Sequence, residues 1–197
     1  MNLVTAAALG LGLGIVTGMP LGVINVAIVD ATVAGHRRFA MGIGIGGAVA
    51  DAVHAALAFI GVGQLLLRRP DLVRALAIAA AVLVIAYAVI AWRTKRVPTK
   101  QIDATSPRAV LTGLMLTLVN PGALSAWVAV AALWPGVSVA EAITLAVAVG
   151  VGSATWFTLL AYVVSRVPRE HRALQIIPKV ALLALLALAI VGVVRVL

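Results

Sequence analysis

The stretch LVTAAALGLGLGIVTGMPLGVINVAIV, from Leu3 to Val29, contains no charged side chain. A helix that crosses a bilayer needs about 20 apolar residues, so this stretch is long enough. Its apolar positions form neither a one-sided helical stripe nor the in-and-out alternation of a barrel strand, which suits a helix with lipid or protein on every side. Working outward, charges divide the rest of the chain into five further stretches of the same kind. The predicted spans are about 3–29, 40–67, 72–92, 109–134, 142–165 and 177–197.

The composition agrees. Of 197 residues, 63% are hydrophobic and 11% charged, with a mean hydropathy of +1.17, against roughly 25% charged in a soluble domain. That leaves too little polar surface for a soluble enzyme or a reader of nucleic acid, so the net charge of +9 needs another cause. The absence of cysteine excludes thiolate metal sites, disulfides and thiol relays. Residues 1–13 lack a basic leader region and the apolar run continues past Pro20, so the first span reads as a retained helix rather than a cleaved signal. The expected fold is all-α: a single integral membrane domain over residues 1–197, with six transmembrane helices and no cofactor.

The basic residues explain the charge. Eleven of the fifteen Lys and Arg fall in the first, third and fifth connections: Arg37 and Arg38; Arg93, Lys95, Arg96, Lys100 and Arg108; then Arg166, Arg169, Arg172 and Lys179. Basic residues near helix ends are retained in the cytoplasm, so both termini are expected outside a cell (inner or plasma) membrane.

The two halves resemble each other. Thr17-Gly18-Met19-Pro20-Leu21-Gly22 in the first span and Leu118-Val119-Asn120-Pro121-Gly122 in the fourth each put a proline and a glycine inside an apolar run. Gly44-Ile45-Gly46-Gly47-Ala48 in the second span matches Gly150-Val151-Gly152-Ser153-Ala154 in the fifth. Three spans per copy is an odd number, so the expected arrangement is two inverted three-helix repeats, about 1–92 and 109–197, a design common among secondary transporters.

Proline in a helix removes a donor and frees carbonyls in the preceding turn, and in lipid these need partners. Pro20 and Pro121 therefore predict breaks that face protein or a cavity, with Gly22 and Gly122 beside them. Asn25 and Asn120 lie near these breaks, where an amide suits either a polar ligand or a hydrogen bond between helices. Asp51 falls near the centre of the second span, where insertion of an acid costs about 2.5–3.5 kcal/mol. His54 follows at i+3 on the same face, close enough to share a proton or a hydrogen bond. The pair reads as a proton relay or as a lock between helices; two ligands at this spacing fall short of a metal site. Trp127 and Trp156 lie deep enough to line a pore or fill the core. Gly10, Gly14, Gly18 and Gly22, like Gly42, Gly46 and Ala50, keep four-residue spacing, which predicts close helix seams, with the first span crossing the second. Such faces are also compatible with a homodimer.

These features, in this order, resemble the LysE/RhtB family of amino-acid exporters: Met19-Pro20-Leu21-Gly22, Gly35-His36-Arg37-Arg38, the run from Gly46 to His54, and Leu118-Val119-Asn120-Pro121-Gly122. The chain departs from the family's usual Pro-Gly-Pro, having Pro20-Leu21-Gly22. The resemblance implies export of a small amino acid or related metabolite, coupled to protons, with Pro20, Asp51, Asn120 and Pro121 at matching positions. The alternatives are a divalent-cation exporter of the wider superfamily and a non-transporting scaffold or assembly factor with the same fold. No set of nucleophile, base and orienting group suggests an enzyme.

Overall fold

A computed structural model describes residues 1–19, 22–61, 68–93, 107–134 and 136–167, together with Ile176, Val180, Leu183 and Ala187. Pro20, most of the connection from Arg93 to Arg108 and nearly all of the sixth predicted span lie outside the described residues, as do some side chains of the third span and that of Pro121.

Among the described residues the chain is all-helical: α1 (Leu3–Gly18), α2 (Val23–Val33), α3 (Arg37–Phe59), α4 (Pro70–Arg93), α5 (Pro107–Leu118), α6 (Pro121–Ala131) and α7 (Val139–Arg166). Local chemistry sets several boundaries. The Asn2 side chain accepts from the Thr5 N–H at 2.8 Å and starts α1. Proline opens α4, α5 and α6, where its missing N–H costs nothing. Ser138 and Glu141 form a reciprocal capping box at the start of α7. Gly35, at φ 90°, makes the turn from α2 into α3.

Two predicted spans are broken. The first is divided into α1 and α2, bent by 68°, and the fourth into α5 and α6, bent by 66°. In the second, α3 stops at Phe59 and Gly61 turns the chain with φ 83°; residues 62–67 lie outside the described residues. Helices α3 and α7 are each long and apolar enough to cross a membrane, and each bent pair meets the same test as one span. Their outer faces carry exposed Ile45, Val49, Val53, Ile143, Val147 and Val151, as lipid contact requires.

The glycine seams exist, but with partners other than those expected. In the first span α1 packs along α7, while α2 packs against α3 of the second span; α3 also packs along α7 and α5. A Cβ at Gly10 would collide with the Leu145 carbonyl, and one at Gly14 with the Val149 carbonyl and the Ser153 N–H. Four-residue spacing identifies a face that accepts a close neighbour; it carries no information about which neighbour.

The α1–α7 and α3–α5 seams match in register. Gly14 meets Val149 and Ser153 as Gly113 meets Ile43 and Gly47; Gly152 meets Leu11 and Ile15 as Gly46 meets Val110 and Leu114. One constant shift of numbering on each helix carries the first seam into the second. The contacts make α1 parallel to α7 and α3 parallel to α5, while Gly44 against Phe157 and Gly150 against Ala52 make α3 antiparallel to α7.

Gly12 points away from the seam, with open space where its Cβ would lie. Gly14→Ala is expected to destabilise the protein by about 1–3 kcal/mol through overpacking, whereas Gly12→Ala is neutral or stabilising. Thermal unfolding of the two variants in detergent checks the contrast.

Candidate functional site

The second break begins with backbone chemistry. Without the break, the Leu118 carbonyl would accept from the N–H of Gly122. Asn120 takes that donor instead: as N-cap of α6, its Oδ1 accepts from the Gly122 N–H at 3.0 Å. The Leu118 carbonyl is satisfied from another helix, by Nε2 of His54 at 3.1 Å. A carbonyl only accepts, so Nε2 carries the hydrogen and, in the neutral ring, Nδ1 is an acceptor. His54 is 2% exposed, and its Nδ1 has no partner.

The residue before Leu118 is also unusual. Thr32, Thr112, Thr144 and Thr155 each donate to the carbonyl one turn back in their own helix. Thr117 is buried and its hydroxyl does not, leaving a second orphaned polar atom at the same break. Native structures leave few such groups, and each calls for an explanation.

Asp51, one turn before His54 on α3, is half-buried, with Ser153 of α7 and Trp127 of α6 within interaction range of its carboxylate. The Ser153 hydroxyl also lies 3.2 Å from the Gly14 carbonyl of α1. The hydroxyl thus lies between the α1 carbonyl it bonds and the Asp51 carboxylate on α3. The structure gives Asp51 and His54 different partners: the first faces α6 and α7, the second the end of α5. Among the described residues no three His, Asp or Glu side chains cluster in the manner of a metal site.

At the first break one side chain joins two helices. Asn25, 3% exposed, donates from Nδ2 to the Gly18 carbonyl at 2.8 Å, and its Oδ1 accepts from Nε1 of Trp156 at 3.2 Å. It bridges the end of α1 to α7. Gly22 is the extended N-cap of α2 and makes no side-chain cap. Of the residues expected to bind substrate, Asn120, Pro121 and Gly122 thus stand at the second break, Gly22 and Asn25 at the first, and Pro20 lies outside the described residues. Sequence reasoning gave no role to Thr117, and saw Ser153 only as a repeat position. The signal for Ser153 was available: it is the hydroxyl that stands where the matching run of the first half has Gly47.

The LysE type translocator family matches residues 15–195 of the chain. No curated protein and no solved structure matches it.

Asn25→Leu strands the Gly18 carbonyl and the Trp156 N–H, and is expected to destabilise the protein by about 1–3 kcal/mol for each group left unpaired. Thermal unfolding measures this; wild-type stability in that variant would contradict the latch.

Proposed function

We propose that this chain, which belongs to the LysE type translocator family, exports amino acids or related small metabolites in exchange for protons, and that cargo and proton meet at the second helix break. The observation that carries this reading is the pair of buried, unpartnered polar atoms at that break, His54 Nδ1 and Thr117 Oγ1, with His54 one helical turn from Asp51. An empty hydrogen-bonding position in a membrane interior is costly, and a polar ligand fills it. A zwitterion suits the set: its ammonium group takes the acceptors His54 Nδ1 and Asp51, and its carboxylate takes the Thr117 hydroxyl. Gly22 and Asn25 of the first break form the opposite wall, with Asn25 holding it closed; Pro20 is assigned to the same wall from the sequence alone.

Exchange follows from competition. A carboxylate that holds the cargo's ammonium has no room for a proton, and once protonated it no longer attracts a cation. Proton and cargo therefore displace each other at Asp51, and a proton moving inward drives cargo outward. The Ser153 hydroxyl reports which is bound. It donates to Asp51 when the carboxylate is ionised, and turns to the Gly14 carbonyl when Asp51 is protonated and donates in its place.

The matched registers of the two seams, and the opposite directions of α1 and α5, support reading the chain as two inverted repeats. Alternating access then loosens one seam while its counterpart tightens. The excess of Lys and Arg in the first, third and fifth connections supports an inner or plasma membrane orientation with both termini outside.

In liposomes holding a labelled amino-acid panel, wild-type protein is expected to show efflux that rises with an inward proton gradient, while Asp51→Asn falls to the level of empty liposomes yet retains its helix content. Gradient-driven efflux by the folded variant would overturn the coupling role. For orientation, the cysteine-free chain allows single-cysteine labelling. Arg69→Cys should react with an impermeant maleimide in intact cells, and Lys100→Cys only after permeabilisation; the reverse pattern would invert the topology.

A further inference from the structure

Because α3 and α7 run antiparallel, Arg37 at the start of α3 meets Arg166 at the end of α7. Both guanidinium groups lie over one ring: their central carbons are 5.3 Å and 4.8 Å from the centroid of Tyr162, which is 40% exposed. Each cation is drawn to the ring's negative face, but two cations on one ring repel each other. Among the described residues neither arginine has a carboxylate within ion-pair distance.

The start of α3 adds to the imbalance. Its N-cap, His36, makes no side-chain capping bond, and the first turn holds Arg37 and Arg38 and no acid. Helix N-terminal N–H groups already favour anions, so basic side chains there make the surroundings more electropositive still. This end of the molecule is thus built to receive a negative charge.

Leu159 and Val163, beside Tyr162 on α7, are apolar and exposed, with Leu159 nearly two turns inward of Arg166. A ligand with an anionic head and an apolar tail matches both parts. An aromatic ring at a helix end, where headgroups meet acyl chains, has the amphipathic character expected of that depth. We propose that Arg37, Tyr162 and Arg166 form a headgroup site for an anionic phospholipid. Its phosphate is held by the two guanidinium forks while its chains run along Leu159 and Val163, fastening the start of α3 to the end of α7. Arginine suits this role because its planar fork binds phosphate oxygens in pairs. The proposal is independent of the transport reading.

The test uses the full chain in neutral detergent, following Tm as phosphatidylglycerol, phosphatidylcholine or inorganic phosphate is added. Phosphatidylglycerol is expected to raise Tm progressively with concentration, as a ligand of the folded state does. Phosphatidylcholine and inorganic phosphate should do so far less. The rise is lost in the double variant Arg37→Gln/Arg166→Gln, reduced in Arg37→Lys, and retained in Arg69→Gln, which removes a charge elsewhere. A double variant that still responds would overturn the site, as would inorganic phosphate reproducing the full effect. Should the double variant fail to fold, the Arg37→Lys comparison decides, and an unchanged response there overturns the bidentate contact. Glu170, four residues after Arg166 in the sequence and outside the described residues, supplies a further arm. If the response appears only in Glu170→Gln, the chain's own carboxylate fills the clamp and the lipid proposal fails.

Discussion

A carbonyl left open inside a bilayer has no water to accept from, so each interruption of a spanning helix must be closed by another part of the protein. The rest of this structure depends on that constraint. Each break frees a carbonyl, Gly18 at the first and Leu118 at the second, and each is closed by a side chain that reaches in, from Asn25 and from His54. The two solutions differ in what they leave behind. Asn25 uses both ends of its amide, whereas His54 spends one ring nitrogen and keeps the other open.

That difference sets the two breaks apart, although the seams beside them match. The seams are equivalent in register, and small residues at Gly14, Gly46, Gly113 and Gly152 bring backbones together where lipid offers no hydrophobic drive. On this frame the second half contributes a break with open polar atoms, and the first half contributes the acid and the imidazole that face it. Ser153 stands between the two, bonded to the Gly14 carbonyl in the α1–α7 seam and within interaction range of Asp51.

Much of this was legible in the residues. The uncharged run from Leu3 to Val29 fixed the membrane class, and Pro121 in an apolar run located a break, because lipid makes a missing N–H conspicuous. The glycine spacing marked the seams but not their partners, since a flat face fits any helix that presents another. Asn25 carried two readings because an amide binds ligands and backbone carbonyls with the same atoms; only its geometry, with Gly18 on one side and Trp156 on the other, separates them. Thr117 was invisible for a different reason. A threonine in a helix ordinarily bonds its own backbone, and its failure to do so can be seen only once the neighbours are placed.

The central claim is that cargo and proton compete for one carboxylate at the second break. It is tested most directly by adding an exported amino acid to purified protein in weakly buffered solution and recording pH. The account predicts that binding releases a proton, that the release disappears in Asp51→Asn, and that it persists in Asn25→Gln. Cargo binding without proton release, across the range in which Asp51 titrates, would contradict it.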